Sequence, residues 1–373
     1  MSVFEVRKDD WAKTRVVDAL VPDQLADGEV LLRVDRLALT ANNISYAATG
    51  DSLGYWGFFP AADGWGRIPA MGWAEVIASA HPEVPVGERL WGWFPYATHL
   101  TILAGDVTRS RIVDVSPHRR DYAPVYAQFD RASANPIYNP AREDHDSLLR
   151  GLFMTSWLVE DFLEVNDRFG ASACLITSAS SKTSIALAYS VKQRGALQSV
   201  GVTSKGNLAF CESLGCYDKV VSYDDVASLD ASQAVVMVDM AGNAKVISAV
   251  HHHFADNLRH SCRIGATHHD EGGALGDLPG ARPEFFFAPS HVERRTKELG
   301  GAELMKRMGG AYVKYREFCN GWLRIEHSHG PEEIVPTFDA VLNGKSNPAT
   351  GQIVSMWPNS GDAGQGCVSL TER

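Results

Sequence analysis

The spacing of hydrophobic residues divides the chain into three parts. Over the first 125 residues, short alternating runs such as 30–39, 73–79 and 97–102 are separated by Gly and Pro, which predicts short strands joined by turns. Short strands at such spacing favour a small β-barrel. After a polar, irregular stretch at 136–146, residues 148–163 are apolar at helical spacing and predict a helix.

Strands and helices alternate from residue 173 onwards. Residues 173–176 and 234–240 are nearly all apolar, as strands buried on both faces of a sheet are. A predicted helix at 207–214 is followed by Gly215, a common residue type just past a helix end. This alternation predicts an α/β fold with a parallel sheet and helices on both faces. From residue 321 the order changes to strand, helix and strand, and we expect this tail to return to the N-terminal β domain.

The composition is that of an ordinary globular protein. Hydrophobic residues make up 45% of the 373 residues and charged residues 21%, and the length suggests two domains. The net charge of −10 argues against a nucleic-acid partner, which would need a basic face. The chain has no run of about 20 apolar residues, so we expect no membrane span. Six cysteines without CxxC spacing favour a reduced, cytoplasmic protein.

The stretch with the clearest chemistry begins at the apolar strand 173–176. A small polar turn at 177–184, a helix from Ile185 and a second strand at 198–202 follow it. This order is the outline of a nucleotide-binding βαβ unit, in which the first turn is normally rich in glycine so that backbone amides can meet a pyrophosphate. Here the turn contains no glycine, so the prediction of function depends on what the turn still binds.

Serines take the place of most of these glycines. Ser178, Ser180, Ser181 and Ser184 are compact, and their hydroxyls can donate to phosphate oxygens, while Lys182 adds a positive charge at the helix start that a bound anion would balance. The alternative is a degenerate loop in which a serine is an ordinary N-cap and the lysine is solvated. The residues that we expect to bind a cofactor here are Ser178, Ser180, Ser181, Lys182 and Thr183.

A P-loop is a competing interpretation of the same turn. The order Ser181, Lys182, Thr183 after an apolar strand resembles the end of a Walker A motif, and Asp239 could be a Walker B acid. Both glycines that let such a loop wrap the phosphates are missing. A degenerate P-loop nucleotide-binding protein is therefore a minor alternative.

The end of the second strand points to the cofactor. An NAD site normally has Asp or Glu there for the ribose 2′-hydroxyl, whereas this chain has Thr203, Ser204 and Lys205. A hydroxyl and an ammonium group suit a 2′-phosphate, which favours NADPH over NADH. The alternative is a polar turn that caps the next helix.

Four motifs, in order along the chain, resemble those of one superfamily. They lie at residues 40–51, 86–92, 213–223 and 342–354. Their order and spacing are similar to those of the medium-chain dehydrogenase/reductase superfamily, in its zinc-free quinone/enoyl reductase branch, and within it to the DUF2855 family. The resemblance implies a GroES-like β-barrel domain at 1–140 and 321–373 and a Rossmann doubly wound parallel-sheet domain at 141–320.

The sequence departs from the zinc-binding branch of this superfamily. Ser45 stands where that branch has a catalytic cysteine, residues 71–75 replace its GHE motif, and the first 170 residues contain no cysteine. A catalytic zinc needs three protein ligands, so we expect no metal. The histidines at 251–253 and 268–269 show no ligand spacing either.

The resemblance implies an NADPH-dependent reductase of an activated C=C or carbonyl group and places its reacting groups. Tyr46 lies in the active-site loop as a proton or oxyanion donor, and Asn42 and Asn43 could bind a substrate carbonyl. Thr155 matches a segment that faces the nicotinamide, Tyr223 an aromatic beside the adenosine phosphate, and Phe287 lies after the last predicted sheet strand. A core tyrosine and a helix-interior threonine remain the alternatives for Tyr46 and Thr155.

The substrate can be predicted only by its character. Aromatic residues are frequent in the N-terminal domain, and residues 55–65 look like a loop, which suggests a small apolar or aromatic carbonyl compound or enone. We expect a homodimer. A non-catalytic or repurposed relative that binds another anion remains the alternative function, and the polar stretch at 114–150 could cover a cleft or serve an oligomer contact.

Overall fold

A computed structural model describes residues 1–120, 122–240, 242–264 and 277–359 of the protein. The strands in this part of the chain are β1 (Ser2–Arg7), β2 (Thr14–Asp18), β3 (Glu29–Leu39), β4 (Trp65–Gly66), β5 (Pro69–Ser79), β6 (Arg89–Pro95), β7 (His99–Gly105), β8 (Arg111–Asp114), β9 (Gln128–Arg131), β10 (Ala173–Thr177), β11 (Gln198–Thr203), β12 (Lys219–Ser222), β13 (Val235–Asp239), β14 (Leu258–Arg263), β15 (Pro283–Phe285), β16 (Arg324–His329) and β17 (Thr350–Ser355). The α-helices are α1 (Ala41–Ala48), α2 (Pro124–Ala127), α3 (Glu143–His145), α4 (Gly151–Val165), α5 (Lys182–Arg194), α6 (Leu208–Ser213), α7 (Ala244–Phe254), α8 (Ala288–Leu299), α9 (Gly301–Cys319) and α10 (Gly330–Leu342).

The chain forms two compact units. Unit 1 comprises Met1–Leu148, Ile325–Ser346 and the described residues from Thr350 onwards. Unit 2 comprises Leu149–Arg324 together with the short segment Asn347–Ala349. The sequence predicted domain boundaries after residues 140 and 320. In the structure, the chain passes from unit 1 to unit 2 after Leu148 and returns to unit 1 after Arg324.

Unit 1 is built on a closed antiparallel barrel of six strands. The strand order is β3, β5, β6, β9, β8 and β7, and the barrel closes because β3 pairs with both β5 and β7. The alternating residues Val30, Leu32 and Val34 of β3 are almost completely buried, as expected for the inward face of a barrel strand. The predicted GroES-like β-barrel is therefore confirmed.

Unit 2 is a parallel sheet flanked by helices. Its strand order is β12, β11, β10, β13, β14 and β15, with every pairing parallel. Counted from the first strand of this unit, the order is 3-2-1-4-5-6, that of a dinucleotide-binding sheet. All residues of β10 and β13 are buried, which explains their apolar sequences. The predicted Rossmann doubly wound fold is therefore confirmed.

A tight contact in unit 1 depends on two glycines. The Tyr122 ring lies against Gly54 and Gly57, and its hydroxyl donates to Gly54 O at 2.8 Å. A Cβ atom at Gly57 would lie 1.9 Å from the Tyr122 oxygen, and one at Gly54 would lie 2.9 Å from the ring. Gly54 also has φ +77°, which favours glycine. The loop containing Gly54 and Gly57 is thus held against the segment containing Tyr122.

None of the helices in the described ranges is long and apolar enough to cross a lipid bilayer. Five cysteines are free and buried: Cys174, Cys211, Cys216, Cys262 and Cys319. Cys367 lies outside the described residues.

We predict that Gly57→Ala destabilises the protein because the added methyl group collides with Tyr122. The cost of such overpacking is about 1–3 kcal/mol, which corresponds to a melting temperature lower by about 2–12 °C. Gly310→Ala is the matched control, since nothing lies within 4 Å of a Cβ atom at that position in α9, and it should not lower the melting temperature. Thermal unfolding followed by circular dichroism measures both; equal melting temperatures for Gly57→Ala and the wild type would contradict the described contact.

Candidate functional site

The order in which the chain adds strands to the sheet of unit 2 reverses between the neighbouring strands β10 and β13. The ends of these strands are joined at their carboxyl edge, where Thr177 Oγ1 donates to Asp239 Oδ1 at 2.7 Å and accepts from Met240 N at 3.0 Å. Asp239 Oδ2 accepts in turn from Gly242 N at 2.9 Å. In open α/β sheets, ligands bind outside the carboxyl ends of the strands at this point. The turn between β10 and α5 therefore lies where a nucleotide site is expected.

Two of the four serines in this turn hold the turn itself. Ser181 is the N-cap of α5, and its Oγ accepts from the backbone N–H of Ser184 at 3.2 Å. Ser184 is fully buried, and its hydroxyl donates to Thr177 O at 2.8 Å. Ser178 has φ +51°, a left-handed conformation that glycine adopts without strain. Ser178 therefore occupies a position whose backbone conformation would suit glycine.

Ser178, Ser180 and Ser181 are partly exposed, and of these only Ser181 is the N-cap of α5. Ser180 Oγ accepts from Asn207 Nδ2 at 3.0 Å, which leaves the Ser180 hydroxyl proton to be donated. Tyr223 lies within hydrogen-bonding reach of Ser178; burial raises the pKa of Tyr223 and this contact partly offsets it. The structure therefore brings Ser178, Ser180 and Tyr223 to one edge of the sheet.

Lys182 is the first residue of α5, and its side chain lies against other parts of unit 2. Its Nζ donates to Pro348 O at 3.4 Å, and its own carbonyl accepts from the Tyr315 hydroxyl at 3.4 Å. Burial lowers the pKa of Lys182 to about 8, an effect that nearby Cys319 slightly opposes. Thr183 follows, and its carbonyl accepts from Ser156 Oγ at 2.8 Å. Lys182 therefore loses its positive charge just above neutral pH.

The residues at the end of β11 differ in exposure. Thr203 is buried, whereas Ser204 and Lys205 are exposed. Lys205 Nζ lies 3.0 Å from Asp224 Oδ2, and this carboxylate raises the pKa of Lys205. Asp224 follows Tyr223 directly and was missed by sequence reasoning, because the spacing of the chain does not place it beside Lys205. Any phosphate that binds Lys205 has to compete with Asp224.

Thr155 and Phe287 lie on other elements of unit 2. Thr155 Oγ1 donates back to Gly151 O within α4 at 3.3 Å. Phe287 is the N-cap residue of α8, is 45% exposed, and stacks with Phe285 at a ring-centroid distance of 6.4 Å. Phe287 thus presents an accessible aromatic face after β15, the last strand of the sheet.

Tyr46 and Asn42 form a pair on α1 in unit 1. The Asn42 amide donates to the Tyr46 hydroxyl oxygen, which leaves the hydroxyl proton of Tyr46 to be donated elsewhere. Burial raises the pKa of Tyr46, so the phenol stays protonated at neutral pH. These two residues can together present a hydrogen-bond donor to a substrate oxygen.

Asn43 has a different environment from its neighbour. Its Oδ1 accepts from Thr40 N at 2.7 Å, and its Nδ2 donates to Pro69 O at 3.0 Å. Both ends of this buried amide hold the start of α1 in place. The contacts support a role for Asn43 in positioning the helix that carries Tyr46.

The three consecutive histidines of α7 contact three different groups. His251 is fully buried between Ser261 Oγ, at 3.0 Å from its Nε2, and Pro279 O, at 2.9 Å from its Nδ1, and burial lowers its pKa. His252 contacts Ser248 O, and His253 contacts Leu229 O. Over the described ranges, no group of three or more His, Cys, Asp or Glu residues could hold a metal ion. His268 and His269 lie outside the described residues.

Solved structures with the same two-domain fold cover nearly the whole chain. CurA from Vibrio vulnificus in complex with NADPH superposes with a TM-score of 0.62 at 13% identity, over 96% of this chain and 99% of that chain. A mutant form of enoyl thioester reductase from Candida tropicalis gives 0.54 at 11%, over 95% and 100%. The yhdH oxidoreductase from Salmonella enterica in complex with NADP gives 0.51 at 13%, over 95% and 99%. The protein therefore shares the two-domain fold of these three structures.

The family itself is identified from the sequence. The profile of the family described as "Protein of unknown function (DUF2855)" matches residues 37–347. The protein therefore belongs to the DUF2855 family, and the resemblance inferred from the four motifs is confirmed. A search of the curated proteins finds no match.

We predict that the charge of Lys182 strengthens binding of a phosphate-bearing cofactor. Because its pKa is lowered to about 8, the charge is present below pH 8 and is lost above it. The affinity for NADPH should therefore fall as pH rises from 7 to 9, while Cys319 stays neutral because burial raises its pKa to about 12. In Lys182→Met this fall should be absent. Titration calorimetry at each pH measures the effect; the same pH dependence in both proteins would contradict it.

Proposed function

We propose that this protein is an NADPH-dependent, zinc-independent reductase of an activated C=C or carbonyl group of the quinone, enone or enoyl type. The observation that carries the proposal is the position of the turn 178–181 at the carboxyl edge of a 3-2-1-4-5-6 sheet, directly before the N-terminus of α5. Backbone amides at such a helix start bind phosphate groups. Ser178, Ser180 and Tyr223 are among the polar side chains at this edge.

The preference for NADPH rests on Ser204 and Lys205. Both are exposed at the end of β11, where the ribose of a bound dinucleotide is recognised. The ammonium group of Lys205 suits a 2′-phosphate. Asp224 favours a ribose 2′-hydroxyl instead, because a carboxylate repels a phosphate and accepts from a hydroxyl.

We expect substitutions of Lys205 and Asp224, which form an ion pair, to change the affinity for NADPH in opposite directions. Lys205→Ala should weaken NADPH by at least about tenfold and leave NADH nearly unchanged, since it removes a charge-assisted contact to the 2′-phosphate. Asp224→Asn should strengthen NADPH by about two- to fivefold by removing a like charge. Fluorescence titration with both cofactors measures these changes.

Lys192→Ala is the matched control, because Lys192 forms a comparable partly exposed ion pair with Asp218 in the same unit. It should change neither affinity. A loss of NADH binding in Asp224→Asn, with NADPH unaffected, would contradict the assignment to NADPH and assign Asp224 to the ribose hydroxyl.

The chemistry of unit 1 follows from Tyr46 and Asn42. Bound NADPH would supply the hydride. As the substrate accepts it, negative charge develops on the carbonyl or enolate oxygen, and a positioned O–H donor stabilises that charge. Tyr46 keeps its proton at neutral pH and is oriented by Asn42, so we assign it as the hydrogen-bond and proton donor to this oxygen.

Tyr46→Phe should reduce kcat by about 100- to 1,000-fold, the usual effect of removing one oxyanion donor, while KM changes little. The control is Tyr96→Phe, which removes a buried hydroxyl that donates to Ala38 O at 2.8 Å within the barrel. That variant should lower stability and leave kcat near the wild-type value. Steady-state kinetics with NADPH and a quinone or enone acceptor measures both; an unchanged kcat in Tyr46→Phe would exclude the assigned role.

A repurposed, non-catalytic relative is the second candidate. It is favoured by the turn itself, where Ser181 and Ser184 are engaged in local hydrogen bonds and Ser178 adopts a backbone conformation suited to glycine. Such a turn could bind a different anion. Binding of NADPH without oxidation of it by any quinone or enone would support this candidate over the reductase.

A further inference from the structure

Five aromatic rings, one of them that of Tyr46, pack together in unit 1. We call this group the tyrosine cluster; its members are Tyr46, Tyr55, Phe58, Trp93 and Tyr126. Tyr46 packs on Tyr55 and Trp93 with ring-centroid distances of 4.7 and 5.2 Å. Tyr126 packs on Tyr55, Phe58 and Trp93 at 5.9, 5.1 and 5.4 Å. The cluster thus joins the helix carrying Tyr46 to α2, which carries Tyr126.

A buried arginine fixes the cluster from within. The Arg119 guanidinium lies 5.0 Å from the ring centroid of Phe58 and 4.9 Å from that of Phe59, and it donates to Phe58 O at 3.0 Å and to Tyr126 O. Tyr122, two positions before α2, is fixed by its contact with Gly54 and Gly57. A ring held in this way loses little freedom when a ligand stacks on it, which favours binding.

The members of the cluster differ in exposure. Tyr55, Phe58 and Trp93 are buried, whereas Tyr46 and Tyr126 are partly exposed. The Tyr55 and Tyr126 hydroxyls lie 3.5 Å apart. The two partly exposed members, Tyr46 and Tyr126, offer phenol groups and ring carbon atoms. A neutral, flat, apolar molecule with an oxygen acceptor matches this surface better than an anionic or a bulky aliphatic one.

We propose that Tyr126 is a specificity-determining residue and that, with Tyr46, it makes the tyrosine cluster the site for the planar aromatic ring of a carbonyl or quinone substrate. This inference rests on the proposed function for the reaction itself, and it adds the substrate class and the residue that selects it. Tyr126 lies in the polar segment 114–150, so this segment acquires a role in recognising the substrate.

The test compares two 1,2-diketones of opposite shape. 9,10-Phenanthrenequinone is planar and aromatic, whereas camphorquinone is bulky and alicyclic. Binding of each is measured by titration calorimetry without cofactor, so that the result does not depend on turnover. The wild type should bind phenanthrenequinone at least about tenfold more tightly than camphorquinone, because only the planar ring can stack on the tyrosines.

Variants at Tyr126 identify the residue responsible. Tyr126→Ala and Tyr126→Leu should weaken phenanthrenequinone at least about fivefold and leave camphorquinone within about twofold, whereas Tyr126→Phe should keep the preference because the ring is retained. Tyr126→Leu maintains most of the side-chain volume if the alanine variant unfolds. Tyr138→Ala is the matched control: Tyr138 lies in the same segment but packs on Trp73 and donates to Glu143 Oε1 at 2.9 Å, and its loss should not alter the preference.

Equal affinities of the wild type for the two diketones, no binding of phenanthrenequinone, or an unchanged preference in a folded Tyr126→Leu protein would overturn the inference. NADPH titration of the same samples separates it from the proposed function. A protein that prefers phenanthrenequinone through Tyr126 but does not bind NADPH would contradict the reductase and leave the tyrosine cluster as a binding site.

Discussion

The hydrogen bond from Thr177 to Asp239 joins β10 and β13, the neighbouring strands between which the order of strand addition in the parallel sheet of unit 2 reverses. It fixes the carboxyl ends of β10 and β13 relative to one another, and with them the start of the turn that leads into α5. The candidate cofactor residues of the turn 178–183, of 203–205 and at Tyr223 all lie at the end of a strand of this sheet or directly after it. Because both partners are buried, the bond is made away from water, where an unpaired polar group is costly.

The turn itself shows how a glycine-free sequence retains the same path. Gly201 on β11 allows the close approach of Ala179, since a Cβ atom there would lie 2.9 Å from that of Ala179. Ser178 adopts the left-handed conformation, and Ser181 caps the helix. The serines of the turn therefore fall into two groups. Ser181 and Ser184 make hydrogen bonds that hold the turn, as expected for a local N-cap, whereas Ser178 and Ser180 stay available at its surface to bind a phosphate.

Part of the fold was predictable from local patterns in the sequence. The all-apolar runs of β10 and β13 indicated a parallel sheet, the alternating runs of the first 125 residues indicated a barrel, and the motif order indicated the superfamily. Other features were not predictable because they depend on contacts between residues far apart in sequence. The pairing of Lys205 with Asp224, the contact of Lys182 with Pro348, and the packing of Tyr126 on Trp93 are of this kind.

The sequence by itself determined the classes of element, their order and the absence of glycine from the nucleotide-binding turn, because hydrophobic periodicity and backbone preference are local properties. The tertiary structure alone decided which hydroxyls of that turn are engaged, which acid lies beside Lys205, and which aromatic residues surround Tyr46. These depend on the sheet order and on side-chain packing, and residues brought together by folding leave no mark in the spacing of the chain.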